Sequence, residues 1–207
     1  SKWSFPSIQV EPNAFLVLFA SDKDRKNYVV QWDAKIDWGD SWNYWIGNSA
    51  PTTDWELPET DISFWSIGPS GFGYGDGDDN TEIEQAISVY VKKEFYIPDS
   101  SKVKKALFHL DYDDGYIAYL NGVEFSRQNL GAMGSPVYYF TTTTGLHEAE
   151  IYNGGSPEML VIDLALFPLK TGSNTLAIEV HNYSNTSSDL SCIPFLTLGY
   201  DTEFDDF

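Results

Sequence analysis

The sequence predicts an all-β protein, folded as an antiparallel β-sandwich or jelly roll. Three observations indicate this fold class. Short runs of β-branched and aromatic residues recur along the chain, glycine, proline and asparagine separate them, and no long segment keeps a helical period. The length of 207 residues suits one large domain of this class, with room for a small appendage.

The expected strands follow one another with clear turn signals between them. In TLAIEVHN, residues 175–182, apolar side chains alternate with Ala177, Glu179 and His181, so this strand has one apolar face. Asn121-Gly122 stands between two alternating runs and predicts a hairpin, because both central residues of a type I′ turn need positive φ. The long segment 47–70 is expected to be an ordered loop packed by its own aromatic rings. The expected strands cover residues 15–20, 87–97, 106–112, 115–120, 123–125, 159–164, 175–182 and 193–200.

The charge of the chain restricts its partners. The formal net charge is −19, from 31 acidic and 12 basic side chains. Phosphate backbones require a basic surface, so we expect no nucleic-acid partner. An acidic surface attracts cations, calcium among them. No stretch approaches the roughly 18 consecutive apolar residues of a membrane span, so we expect no membrane insertion.

The sequence contains no recognised catalytic motif. A nucleophile elbow, a P-loop, an HExxH helix and a kinase set are all missing, and the three histidines lack the spacing of a zinc site. The single cysteine, Cys192, forms no intrachain disulfide and is expected to be buried among apolar neighbours. We therefore expect no catalytic residue in this chain, whose role beside a secreted enzyme would be that of an accessory domain.

Two separated stretches resemble a known module. The first, from Ile36 to Asn80, contains I-D-W-G-D-S-W-N-Y-W, P-x-x-D-W, D-I-S-F-W and G-P-S-G-F-G-Y-G-D-G-D-D-N. The second begins at Tyr112 with Y-D-D-G-Y-I-A-Y-L-N-G-V-E and continues with L-A-I-E-V-H-N from Leu176. Their order and spacing resemble those of a galactose-binding-like β-sandwich, the jelly roll of many carbohydrate-binding modules in large secreted bacterial proteins. The resemblance implies a secreted or cell-surface location, a glycan or polysaccharide partner, and neighbouring domains in a longer parent protein.

The first residues of the chain resemble a different family. The segment WSFPSIQVEPNAFLVLFASDKDR, residues 3–25, resembles the closing part of a lamin-tail-type domain. Either it is the remnant of a preceding domain, or its apolar strand packs on the main sandwich. An apolar strand without a sheet exposes an aggregation-prone edge, which favours packing. We therefore divide the chain into a lamin-tail-like segment, residues 1–26, and a jelly-roll sandwich, residues 27–207.

A high density of acid marks GFGYGDGDDNTEI, residues 71–83. Calcium takes about six to eight oxygen ligands in flexible geometry, and glycines let backbone carbonyls turn inward. The stretch DGDDNT resembles the D-G-x-x-x-T turn that holds structural calcium in some galactose-binding-like modules. We expect a structural calcium ion here, and a solvated acidic turn is the alternative. The candidate ligands are Asp76, Asp78, Asp79, Asn80, Thr81 (through its carbonyl) and Glu82.

A second acidic turn supplies candidate sugar contacts. Asp113 and Asp114 precede Gly115 in a D-D-G turn, which resembles a turn that gathers calcium and sugar hydroxyls in some lectin-like sandwiches. The alternative is a hairpin corner whose aspartates cap backbone amides. His147 follows a threonine-rich loop, where it would line a cleft.

Aromatic residues supply a further candidate. Trp42 and Tyr44 would share one face of a strand and Trp45 the opposite face. One of these faces forms an exposed platform for sugar rings, or all three rings are buried; the sequence leaves both open. Trp55 and Trp65 lie in motifs of the resemblance where they are expected to anchor the core.

Together these features favour a non-catalytic, secreted carbohydrate-binding module with structural calcium. One alternative is a structural or adhesion spacer of a multidomain cell-surface protein that binds no sugar. Another is a fragment of an enzyme. Exposed coplanar rings beside polar groups would favour sugar, whereas a flat apolar patch at the termini would favour packing against a neighbouring domain.

Overall fold

The computed structural model describes residues 29–202 and arranges them in two six-stranded β-sheets. All strand pairs among these residues are antiparallel except the short pair β4–β5. The expected all-β antiparallel sandwich is therefore confirmed. The strands are β1 Gln31–Ile36, β2 Ser41–Ile46, β3 Ser66–Pro69, β4 Phe72–Tyr74, β5 Thr81–Glu82, β6 Ser88–Ile97, β7 Val103–Tyr112, β8 Gly115–Leu120, β9 Val123–Gln128, β10 Glu158–Val161, β11 Gly172–His181 and β12 Leu190–Tyr200.

The strand order places distant parts of the chain side by side. The first sheet has the order β10-β7-β12-β4-β5, and β1 also pairs with β12. The second sheet has the order β3-β2-β6-β11-β8-β9. The strands β4 and β1 share one edge of β12, since β4 pairs with residues 190–192 and β1 with residues 196–200. The turn after β4 therefore lies beside the start of β12.

The core lies between the two sheets. Strand alternation directs Leu176, Ile178 and Val180 of β11 into this core, as the sequence predicted. From the first sheet, Phe108 and Leu196 enter the same cluster. Cys192 is also fully buried there, which confirms the expectation for the single cysteine.

The segment between β2 and β3 covers the outer face of the second sheet. Trp55 and Trp65 stack with ring centroids 5.8 Å apart, and Trp55 meets Tyr90 of β6 edge-on at 5.1 Å. Both tryptophans are buried, as expected for core anchors. Lys92 of β6 extends beneath this segment and donates to the carbonyl oxygens of Trp55 and Leu57 at 3.1 and 2.5 Å. The expected ordered loop is thus a built layer of the fold up to residue 65, whereas residues 66–69 of the expected loop form β3 and pair with β2.

Several details of the expected strands are corrected or left open. Asn121 and Gly122 have φ values of 53° and 82° and join β8 to β9, so the expected hairpin is confirmed. The strand β10 ends at Val161, earlier than expected, and a turn at Asp163 follows it. The division at residue 26 and the apolar strand 15–20 lie outside the described residues. Within residues 29–202, no helix has the length and apolar character needed to cross a membrane.

Candidate functional site

A pocket of about 500 Å³ opens on the outer face of the second sheet. Its floor is formed by Tyr90 of β6, Glu179 of β11 and Tyr119 of β8. These strands are neighbours in the sheet, so alternate side chains from all three meet on one face. The walls come from residues 50–56 and 134–139 and from two residues of β9. A concave site of this size, with mixed aromatic and polar walls, suits a small ligand or part of a larger one.

Aromatic rings form the apolar part of this pocket. The indole ring of Trp55 stands edge-on to the rings of Tyr90 and Tyr119, with centroids 5.1 and 5.7 Å away. At the rim, Tyr138 and Phe140 stack with centroids 5.6 Å apart and planes 6° from parallel. Their residues are 59% and 58% exposed. Of this pair, Tyr138 lines the pocket, so one exposed ring lies next to its polar groups.

Glu179 is the central polar group of the floor. The Tyr119 hydroxyl donates to one carboxylate oxygen at 2.9 Å, and His181 Nε2 lies 3.0 Å from the other. His181 Nδ1 lies 2.8 Å from the carbonyl oxygen of Thr141. A carbonyl only accepts, so Nδ1 carries a proton, and one further proton lies between Nε2 and Glu179. This network fixes the orientation of the Glu179 carboxylate.

Acidic groups outnumber basic groups in the pocket wall. The lining contains Asp54, Glu56, Glu124 and Glu179 against one cation, Arg127. The Arg127 guanidinium binds both oxygens of Glu124, at 2.8 and 2.9 Å, so its charge is compensated within the wall. Burial raises the pKa of Glu56, and the charges of Asp54 and Glu179 act in the same direction. The pocket therefore has an excess of hydrogen-bond acceptors and of negative charge.

The acidic loop after β4 brings three of its expected calcium ligands together. One carboxylate oxygen from each of Asp76, Asp78 and Asp79 lies within 4.8 Å of the others. Gly75 and Gly77 have φ values of 106° and 84°, which side chains rarely adopt, and they allow the chain to fold back over β4. The expected convergence of these carboxylates is thus present in the fold.

These three carboxylates have few hydrogen-bond donors. Both oxygens of Asp78 and Asp79 are buried without a donor in residues 29–202, whereas Asp76 accepts from Ser191 Oγ at 2.8 Å. Burial raises the pKa of Asp79 to about 8, and the charges of Asp76 and Asp78 add to the effect. Burial also raises the pKa of Asp78, as does the close approach of Asp76. A hard cation with oxygen ligands fits this donor set, because it would supply the missing positive charge.

The other three expected ligands have different positions. The Asn80 side chain donates to the Ser70 carbonyl at 2.7 Å, and the Thr81 hydroxyl donates to the Pro69 carbonyl at 2.6 Å. Both side chains thus tie the loop to the connection before β4. Glu82 lines a cavity of about 220 Å³ together with Asp79 and Tyr74. It therefore faces the same cavity as Asp79, but not Asp76 or Asp78.

The aspartates at the end of β7 and in the turn after it have two different roles. Asp114 accepts the backbone N–H groups of His147 at 3.0 Å and Tyr183 at 2.7 Å, and Asp111 accepts those of Glu150 and Ile151. These two residues cap backbone amides, which was the alternative reading of the turn. Asp113 instead groups with acids from two other loops.

His147 is partly buried and packs against β7. Its ring stacks on Tyr112 with centroids 3.9 Å apart and planes 7° from parallel. Its Nδ1 lies 2.9 Å from the Tyr112 carbonyl oxygen and its Nε2 lies 3.2 Å from Glu158. The pocket described above does not include it. Its expected place in a cleft is corrected to a packing position over β7.

The aromatic platform expected on β2 is also corrected. Trp42 is 2% exposed and lies in the core, because alternation along β2 turns it inward. Tyr44 packs on the same side against Phe72, with centroids 5.4 Å apart. Trp45 faces outward, but Phe64 covers it at 5.9 Å. Of the three rings, two belong to the inner side and one to the layer of residues 47–65.

Sequence reasoning did not select the residues of the outer-face pocket. Trp55 was assigned to core packing, and Glu179 and His181 were recognised only as the polar side of β11. The signal available was that polar side itself, since a buried carboxylate and imidazole on one strand need partners from elsewhere. Those partners, Tyr119 and Thr141, lie roughly 40–60 residues away along the chain.

The comparisons with known proteins concern the fold. No family model matches the sequence, and no curated protein is significantly similar to it. A β-glucuronidase of an uncultured Clostridium sp. has 16% identity and a TM-score of 0.52, over 90% of this chain and 31% of that one. Bacteroides uniformis β-glucuronidase has 14% identity and a TM-score of 0.51, over 81% of this chain and 18% of that one. A β-glucuronidase from glycoside hydrolase family 2 has 15% identity and a TM-score of 0.51, over 78% of this chain and 17% of that one. The chain therefore spans less than a third of these enzymes and shares a β-sandwich fold with part of them.

Proposed function

We propose that this chain is a non-catalytic carbohydrate-binding module of a secreted or cell-surface protein, and that its sugar site is the outer-face pocket. One observation carries the proposal. A single pocket combines the buried ring of Trp55, the exposed ring of Tyr138 and the oriented carboxylate of Glu179, and Phe140 stacks on Tyr138 from outside the lining. Sugars present C–H faces that pack on rings and hydroxyls that donate to carboxylates. The fold shared with part of several β-glucuronidases is compatible with a domain that accompanies glycoside-cleaving enzymes.

The charge of the pocket indicates the class of sugar. Arg127 compensates Glu124, and Glu179 shares a proton with His181, but Asp54 and Glu56 have no such partner in the lining, so an anionic sugar would meet repulsion. Neutral sugars, with hydroxyl donors for the excess acceptors, fit better. The module would therefore bind neutral polysaccharides in preference to uronate-containing ones.

Affinity electrophoresis against soluble polysaccharides tests this proposal, after a glycan array has selected neutral ligands. Tyr138→Ala removes an exposed ring at the rim and should weaken binding about tenfold, which corresponds to about 1.4 kcal/mol. Tyr96→Ala is the matched control. Tyr96 is also an exposed ring on β6, 65% exposed, but six residues from Tyr90, or roughly 20 Å along the strand.

The outcomes separate clearly. Selective weakening by Tyr138→Ala supports the pocket. If the polysaccharide retards both variants as strongly as the wild type, the sugar binds elsewhere on the domain. If the wild type binds no glycan with calcium present, the proposal is wrong. Preference for uronate-containing ligands would contradict the charge argument while leaving the pocket itself intact.

We further propose that the acidic loop after β4 holds a structural calcium ion through Asp76, Asp78 and Asp79. Buried carboxylate oxygens without donors support this assignment, as does the strongly negative chain. The ion would supply positive charge and fix the loop against β4 and β12, where Ser191 already contacts Asp76. The sugar would be bound on the other sheet.

The second candidate function is that of a spacer that packs against a neighbouring domain. The edge strand β10 favours it, because Met159 and Val161 are exposed on it and Leu166 is exposed in the turn that follows. An apolar sheet edge of this kind suits burial against another domain. A chain that binds no glycan but associates through this edge would fit this function.

A further inference from the structure

The aromatic lining of the outer-face pocket favours a positively charged ligand. Five rings line this pocket, those of Trp55, Tyr90, Tyr119, Tyr138 and Tyr139. The face of an aromatic ring carries partial negative charge, so ammonium groups bind against it, and they bind more strongly where water is excluded. Tyr138 is 59% exposed, which leaves its ring accessible to a ligand at the rim. A concave site with this many rings can therefore hold a cation as well as the C–H face of a sugar.

The same pocket holds two carboxylates that no basic side chain pairs with. Within residues 29–202, neither Asp54 nor Glu56 forms an ion pair with a lysine or an arginine. The guanidinium in the lining, that of Arg127, donates instead to Glu124 and to the carbonyl oxygen of Leu130, each at 2.8 Å. A ligand in the pocket therefore meets rings and negative charge together.

Lys92 lies under the layer that carries these carboxylates and compensates them only in part. Its buried side chain donates to the carbonyl oxygens of Trp55 and Leu57. Its charge lowers the pKa of Glu56, but burial, and then the charges of Asp54 and Glu179, raise this pKa by more. A cation bound beside Glu56 would stabilise the ionised carboxylate.

Building on the proposed sugar site, we propose that the pocket binds an amino sugar and places its protonated amine beside Asp54 and Glu56. A neutral sugar avoids the repulsion that an anionic sugar meets, whereas a protonated amine is also attracted by the two carboxylates. An ammonium group has three N–H donors and no acceptor, which suits carboxylate oxygens and ring faces. The ligand class is a polysaccharide whose amino groups are free rather than acetylated.

Calorimetric titration of matched oligosaccharides into the full chain tests this ligand class. The probes are oligomers of glucosamine, N-acetylglucosamine and glucose, of equal length and linkage, at about pH 6, where amines are protonated and ordinary carboxylates ionised. Salt at about 150 mM screens attraction to the acidic surface outside the pocket. We expect the glucosamine oligomer to bind at least tenfold more tightly than either neutral oligomer.

Glu56→Gln should reduce this preference to about threefold or less, because it removes one of the two charges at little change in shape. The matched control is Glu94→Gln, the same chemical change at an exposed position on β6 outside the lining, and it should keep the preference of the wild type. Asp54→Asn is a second probe in case Glu56→Gln perturbs folding. Asp54 is exposed and has a φ of 57°, which asparagine tolerates.

The outcomes distinguish the amino-sugar preference from the sugar site itself. If the chain binds neutral glycans but not the glucosamine oligomer more tightly, the preference is wrong and the sugar site stands. If the chain binds no glycan at all, both are wrong. A loss in Glu94→Gln equal to that in Glu56→Gln would assign the attraction to the whole acidic surface and overturn the preference. So would a lysine-containing peptide that binds as tightly as the glucosamine oligomer, because the pocket would then recognise an amine without its sugar.

Discussion

The buried aspartates at one end of this sandwich are of two kinds. Some accept hydrogen bonds from backbone N–H groups, and others do not. Asp111 and Asp114 each accept two backbone N–H groups, which stabilise their charge. Asp78 and Asp79 have no such donors among residues 29–202. The aspartates that accept backbone N–H groups hold the loops in place. The aspartates without such donors destabilise the folded state when they are ionised, and binding of a proton or a cation removes this cost. The same residue type thus performs two tasks within a few ångströms.

The pKa of Asp79 predicts how the stability of the calcium-free protein depends on pH. Its folded pKa of about 8 lies above the ordinary value near 4, so between these values the folded state retains a proton that the unfolded chain releases. Stability contributed by this group is complete below about pH 4 and is lost as the pH rises through about 8. Urea unfolding in chelator, at about pH 5 and pH 8, should show a lower free energy of unfolding at the higher pH.

Asp79→Asn removes this titration and should reduce the pH dependence. Glu94→Gln, at an exposed site, should leave it unchanged. An Asp79→Asn chain with the full dependence of the wild type would show that the carboxylate is stabilised by groups other than a bound proton. Excess calcium should also reduce the dependence in the wild type, because the ion replaces the proton.

Sequence reasoning reached part of this residue-scale description. Asp76, Asp78 and Asp79 stand within four positions, so their proximity was predictable. The different tasks of Asp113 and Asp114 were not, because the donors to Asp114 come from residues 147 and 183. The sequence also did not predict whether the Trp42 ring is buried or exposed. Alternation assigns side chains to two faces of a strand but does not tell which face is packed in the core.

Among the elements, the short strand β4 supports the acidic loop. A Cβ added at Gly73 would overlap the carbonyl oxygen of Leu190 on the paired strand β12 and would lie 2.6 Å from Asp79 Oδ1. A glycine here therefore lets β12 and the carboxylate approach the same backbone position. The three residues of β4 are a structural support for the candidate calcium site.

Gly73→Ala should destabilise the protein by about 2 kcal/mol, because the overlapped atom belongs to the backbone of a central strand and cannot rotate away. The free energy of unfolding is read from the urea midpoint at constant slope. Gly145→Ala is the matched control, since its nearest neighbour would be Asn129 Oδ1 at 3.4 Å and its φ needs no glycine. A Gly73→Ala midpoint equal to that of the control would contradict this account of β4.

The elements that sequence predicted well are those with regular alternation. β6, β7, β8, β11 and β12 were found near their observed bounds because one face of each strand is packed in the core. β4 and β5 have three and two residues, and glycines and acids surround them, so no period could reveal them. β5 forms only because Ile83 and Thr81 donate to carbonyls of the 71–73 segment.

At the scale of the whole molecule, the two sheets separate two kinds of site. The outer face of the second sheet carries the aromatic pocket, and the first sheet carries the acidic loop after β4. The pocket could not be predicted because its floor combines residues 90, 119 and 179 through strand order. The charge of −19, by contrast, was available at once and indicated cations as partners.

Calcium should stabilise the whole domain well beyond the effect of ionic strength. A ligand that binds only the folded state, at about a hundredfold its dissociation constant, contributes about 2.7 kcal/mol, which raises Tm by roughly 5–10 °C for a domain of this size. Melting curves in calcium chloride are compared with curves in sodium chloride of equal ionic strength, which only screens the surface charges. The double variant Asp78→Asn/Asp79→Asn should lose the difference between the two salts. A double variant that keeps the full difference would place calcium elsewhere on this acidic surface, and equal curves for the wild type would mean that the acidic loop does not bind it.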